Sequence, residues 1–160
     1  MTSHTLLLLR HGSVGRQWEG RYIGSTDLGL AEEGSAQLRD VAVRLRDWAP
    51  LSRCYCSPML RARQTAAALS PALAAPPHIL NDLREIDFGR WEGLSFAEIS
   101  QRDPELVARW ADLAPGFAFP DGESVSGFLV RIWALTDRIA AEPGPTLVVT
   151  HGGVVRAMLC

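Results

Sequence analysis

The sequence predicts an α/β fold of three layers, α/β/α, with a mostly parallel sheet between helices, and three observations carry that prediction. Strand-like apolar runs alternate with stretches of helical period along the 160 residues, the order that crossover helices produce. The first and last strands share one grammar, "TLLLLRHG" and "PTLVVTHGG", an apolar run ending in histidine and glycine. No repeat, linker or composition break divides the chain, so residues 1–160 read as a single domain.

Each element follows in order. The run Leu6–Leu9 reads as a strand buried on both faces; Arg10 and His11 stand where it leaves the core, and Gly12 permits a sharp turn or a close approach. Residues 13–34 read as a long surface loop, a length usually reserved for function. From Ala31, Leu38, Val41, Leu45 and Trp48 fall at helical spacing with charges opposite them. "RCYCS" is the second strand, and Pro58 opens a helix through "MLRARQTAAAL". A third strand is expected at His78 to Leu80. The stretch "NDLREIDFGRWEGLSFAEI" is a loop running into a short helix, and Asp103 and Pro104 begin another over "DPELVARWADL". After the loop "APGFAFPDGES", Val125, Phe128, Leu129, Ile132, Leu135 and Ile139 share one face of the clearest helix. The last strand then leads through His151 into a final helix.

Composition narrows the function classes. A hydrophobic content of 47% and a formal net charge of −2 are ordinary for a soluble globular chain, so neither nucleic acid nor a membrane surface is an expected partner. No run reaches membrane-spanning length and the first apolar stretch is too short for a signal peptide, so the expected location is the cytoplasm. All 16 basic residues are arginine, and only their positions are informative. Cys54, Cys56 and Cys160 have no metal-ligand spacing; buried, reduced thiols are expected, with no metal and no cofactor.

Arg10 and His11, then Ser57 with Arg61, then His151 all follow strand ends. The carboxyl ends of parallel strands lie on one sheet edge, so groups far apart in sequence can meet there. Two guanidinium groups, two imidazoles and the N–H groups of "HGG" opening a helix describe an anion pocket, and phosphate is the anion they suit. Taken singly, Arg10 and His11 read equally well as a solvated strand end.

These motifs resemble the histidine phosphatase superfamily, also called the phosphoglycerate mutase-like family. "RHG" at Arg10–Gly12, "CSPMLRARQTA", "LREIDFGRWEG", "PDGES" and "VVTHGGVVRAML" match in order over nearly the whole chain. The resemblance implies a phosphohistidine at His11, phosphate held by Arg10, Arg61 and His151 with the backbone around Gly24 and Gly152, Glu85 as the acid, and no metal. Glu85 is also open to a plainer reading, a surface carboxylate paired with Arg84 or Arg90.

Three departures stand out. Ser13 replaces the usual glutamate after "RHG", and Gln17 stands where an asparagine usually touches the phosphate; a longer amide can still donate to it. The chain stops at Cys160 where relatives continue, which fits an unusually short form, a truncation or a partner chain; Val154, Val155, Met158 and Leu159 then need cover, which a homodimer would give. Ile23 in place of a hydroxyl residue, the absence of lysine and the short segment after Glu85 favour a phosphatase over a mutase. Within the phosphatases the letters look most like the alpha-ribazole branch of cobalamin biosynthesis, which shares many of them with broad-specificity sugar phosphatases. The expected partner is a small phosphorylated metabolite, with Trp18, Tyr22, Phe88 and Trp91 either a stacking wall or ordinary loop anchors. From another class, a catalytically weak phosphate-binding regulatory module also fits the pocket.

Overall fold

The computed structural model describes residues 4–112 and 114–160. Four strands, β1 (His4–Arg10), β2 (Arg53–Cys56), β3 (His78–Ile79) and β4 (Gly144–Thr150), form one parallel sheet in the order β1-β4-β2-β3. The last strand therefore lies between the first two, and its neighbours bring His11, Ser57 and His151 to one edge. Six α-helices cover the faces: α1 (Glu32–Leu45), α2 (Leu60–Ala68), α3 (Phe96–Arg102), α4 (Pro104–Ala111), α5 (Val125–Ala140) and α6 (Gly152–Leu159).

The period of two along the strands sorts side chains into two cores. Leu147 and Val149 of β4, Cys54 and Cys56 of β2 and the inner faces of α1 and α2 form one cluster. Val148, Phe128, Ile132, Leu135, Ile139, Val154 and Trp91 form the other, on the opposite face. Three layers are the result. Both strand cysteines are buried, and burial pushes each thiol up to about 12.

Four local readings are corrected by the structure. β1 is the edge strand, so its leucines are half-buried rather than enclosed on both faces. α1 ends at Leu45, which takes Trp48 off the helix and leaves it exposed in the turn that follows. α2 begins at Leu60, two residues beyond Pro58; the Asp27 carboxylate accepts the Leu60 N–H. The helix expected over "DPELVARWADL" runs Pro104–Ala111, and Leu113 lies outside the described residues. Of the four apolar residues expected to need cover, Val154 is fully buried under this chain's own core, Val155 and Met158 are half-buried, and Leu159 is exposed.

Candidate active site

His11 leaves β1 with its N–H on the Thr150 carbonyl at 2.9 Å, which extends the β1–β4 pairing by one residue. Its Nδ1 lies 2.8 Å from the Gly12 carbonyl, an acceptor only, so Nδ1 carries the proton and Nε2 keeps its lone pair. Burial, reinforced by the Arg61 and Arg10 charges and opposed by the Gly12 bond, lowers His11 to about 4. The ring is neutral at pH 7.

Arg61 is fully buried at the second position of α2, and each of its nitrogens has a partner. Nε donates to His11 Nε2 at 3.2 Å, Nη1 to the Thr26 carbonyl at 2.7 Å and Nη2 to the Gly24 carbonyl at 2.8 Å. The Gly12 N–H donates to Thr65 Oγ1, which donates in turn to the Arg61 carbonyl, so the signature turn is tied to the helix carrying the arginine. The long loop is ordered by such ties: Glu92 accepts from Gly24, Ser25 and Thr26, and Gln64 from Leu30. Gly24 has no room for a Cβ, which would strike the Ile86 carbonyl.

His151 is 1% exposed and lies edge-on to His11, ring centroids 5.1 Å apart. Its Nε2 is 2.7 Å from the Ser57 hydroxyl, which also accepts the Met59 N–H. The Ser57–His151 pair shares one hydrogen at Nε2, and His151 Nδ1 has no partner among the described residues. Burial first, then Arg61, His11 and Arg10, hold this imidazole far below its usual range. Both rings are thus uncharged, and the positive charge of the pocket comes from arginine.

Glu85 is not paired with Arg84 or Arg90. Arg84 donates to the Asn81 carbonyl and Arg90 to Asp103, whereas Glu85 accepts the Gly153 N–H at 2.8 Å and the Ile86 N–H at 3.1 Å. Gly153 leaves the carboxylate its space, because a Cβ there would collide with Glu85 where it stands. Burial raises the Glu85 pKa, against the two N–H bonds and the charges of Arg156 and Arg61. Its backbone is clamped by Arg131, which donates to the carbonyls of Asp82, Arg84 and Glu85 and forks onto Glu123 at 2.8 Å and 3.0 Å.

Arg10, His11, Glu85 and Gly152 line a single cavity of about 380 Å³, and the buried Arg61 and His151 lie against His11. Trp18, Tyr22 and Phe88 wall that cavity; Trp91 is in the core, donating to Asp103. Gly24 contributes a carbonyl that orients Arg61. Gln17 does not join the group: it is exposed on the turn Arg16–Trp18, its amide folded back against Gly15, and it is not among the cavity residues. Arg156 and Phe96 do line it, and sequence reasoning missed both. Helical spacing carried the signal for Arg156, which stands one turn after Gly152 on α6. The sequence marks Glu92, with Asp87 and Glu123, only as an alternative acid to Glu85; its hold on the Gly24–Thr26 loop was missed.

Residues 6–160 match the family model of the histidine phosphatase superfamily (branch 1). Bifunctional protein Rv2228c of Mycobacterium tuberculosis is 39% identical over 163 aligned positions, covering 99% of this chain and 44% of its own, so the chain spans less than half of that relative. The adenosylcobalamin/alpha-ribazole phosphatase of Salmonella typhimurium is 31% identical over 156 positions, 96% of this chain and 77% of its own. Among solved structures, a proposed alpha-ribazole-5'-P phosphatase from Escherichia coli K-12 superposes with a TM-score of 0.85 at 26% identity, covering 96% of this chain and 76% of its own. Phosphoglycerate mutase from Thermus thermophilus superposes at 0.71 with 38% identity, over 95% of this chain and 80% of its own.

Proposed function

Because the chain belongs to the histidine phosphatase superfamily, we propose that it is a phosphomonoesterase that forms a phosphohistidine at His11 and works without a metal. One observation carries the proposal: the His11 Nε2 lone pair stands beside the Arg61 guanidinium, in the cavity that Glu85 also lines. Nε2 gives up the Arg61 Nε–H that it accepts at rest, attacks phosphorus with the freed lone pair, and the ester P–O bond breaks. Arg10, Arg61 and His151 stabilise charge on the three equatorial oxygens, with the α6 N-terminus adding its positive end. Glu85, raised by burial, gives its proton to the leaving oxygen; as a carboxylate it then takes one from the water that attacks the phosphohistidine, releasing phosphate and restoring both groups.

The test is turnover of p-nitrophenyl phosphate with chelator present, with acid-labile phosphate on His11 sought by rapid quench. Turnover in wild type and none in His11→Ala is expected. Turnover surviving in His11→Ala would overturn the mechanism, and phosphate binding without any turnover would leave a phosphate-sensing module instead.

For the substrate we propose alpha-ribazole 5'-phosphate. The Salmonella relative supports this, as do the Trp18, Tyr22 and Phe88 rings on the cavity wall, where a flat base can stack. A panel of nucleoside phosphates, sugar phosphates, phosphoserine and 3-phosphoglycerate tests it: the ribazole ester should show the highest kcat/KM. Preference for 3-phosphoglycerate with transfer of the phosphoryl group would favour the mutase reading, to which the Thermus neighbour belongs by name.

A further inference from the structure

We propose that Glu92 is a positioning residue for phosphoryl transfer, acting through the Gly24–Thr26 loop on Arg61. The inference rests on the phosphatase reading of the pocket and adds to it a residue that is not among those lining the cavity.

The loop alternates its polar groups between two partners. Its N–H groups point to Glu92: Gly24 at 3.0 Å and 3.1 Å from the two oxygens, Ser25 at 2.8 Å and Thr26 at 3.2 Å. The Thr26 hydroxyl adds a bond of 2.6 Å, and the Phe88 N–H one of 3.2 Å. Two carbonyls of the same three residues point the other way, onto the Arg61 guanidinium. A carboxylate suits this place because it only accepts, with about four lone-pair sites on two oxygens. An amide would set its own N–H bonds against the loop's donors.

Arg61 offers five N–H bonds. One goes to His11 Nε2 and one to each loop carbonyl, which leaves one on each terminal nitrogen for phosphoryl oxygens. The loop therefore sets the plane of the fork. Glu92 also supplies negative charge to a cation fully out of water, alongside Glu85 and Asp27.

The experiment uses the full chain with Glu92→Gln and Thr26→Val, each also in an Arg61→Ala background. Three quantities are read: kcat/KM for p-nitrophenyl phosphate, Kd for inorganic phosphate by calorimetry, and the pH titration of the His11 ring by NMR. Misplacing a fork by about an ångström should lower kcat/KM by roughly tenfold to a hundredfold in Glu92→Gln. Phosphate Kd should rise by a similar factor, and His11 should titrate at higher pH as Arg61 withdraws from it. Neither change should add to the loss already caused by Arg61→Ala, since both act through the same group. Thr26→Val, which removes one donor and keeps the backbone, should weaken phosphate severalfold and serves if Glu92→Gln does not fold.

Equal losses with and without Arg61 would overturn the inference. So would unchanged phosphate Kd and His11 titration in folded Glu92→Gln or, where that variant does not fold, in Thr26→Val. Failure of the phosphatase reading shows separately, as turnover surviving in His11→Ala, or as none in wild type; in the latter case phosphate binding and the His11 titration still decide on Glu92.

Discussion

His11 and His151 are held neutral by their surroundings, and the protein's response to acid follows from that. Both titrate in the folded state below their ordinary 6.5, His11 at about 4. Between those values the unfolded chain takes up protons that the folded chain does not, so stability is complete above 6.5 and is lost as pH falls toward 4. Melting temperature measured across that window should drop, with a shallower slope in His151→Asn, which has no ring proton to gain. Glu85 shifts the other way. Raised by burial, it holds its proton to higher pH, and kcat/KM for alkyl phosphates should fall on the alkaline side as that proton is lost. Glu85→Gln should abolish that limb and slow alkyl esters by about 10²–10⁴-fold, the usual range for a general acid. p-Nitrophenyl phosphate, whose leaving group departs as a stable anion, should lose far less; equal losses on both esters would give Glu85 a binding role instead.

At the start of α6, helix and acid are fitted to each other. The Gly153 N–H donates to Glu85, and the glycine has no side chain because the carboxylate occupies its space. Gly153→Ala should therefore displace Glu85 while leaving the helix, because the atoms a Cβ would meet are the far end of the Glu85 side chain and not backbone. The expected outcome is a variant with wild-type circular dichroism, a melting temperature within a few degrees, and kcat/KM on alkyl phosphates reduced about as far as in Glu85→Gln. A full loss of structure would place the glycine's role in folding. α5 and the loop before it act similarly on the other side of the acid: Arg131 on α5 grips Glu123 and three carbonyls of the segment that presents Glu85. The site is thus positioned by helix ends and a clamped loop rather than by the strands alone.

For the whole molecule, the pocket is assembled from residues between 10 and 156, so phosphate can bind only when the carboxyl ends of β1, β2 and β4 have come together. Phosphate at about a hundred times its Kd should stabilise the fold by about 2.7 kcal/mol, several degrees in melting temperature, and the same concentration should shift Arg61→Ala by clearly less. The layers, the four strands and the meeting of Arg10, His11, Arg61 and His151 were legible in the sequence, because strand ends and helical periods are local patterns and a parallel sheet has one functional edge. The edge position of β1 was not, because a run of leucines looks the same whether one neighbour or two lie beside it. Nor was the loop's anchoring by Glu92, since a carboxylate 68 residues away from Gly24 leaves no mark at any local spacing. The placement of Gln17 was not legible for a related reason: its position beside the signature is clear, but the direction of an exposed side chain on a tight turn is set by that turn. The pairing of β1 with β4, Arg10 opposite Thr150, has a further consequence. A slip of two residues would keep every leucine facing the same layer and yet move His11 along the strand axis by about 6.6 Å relative to His151. Two populations could then look alike in circular dichroism and in compactness while only one made a phosphoenzyme. A burst titration of His11 would count the molecules folded in register, where spectroscopy counts all that are folded.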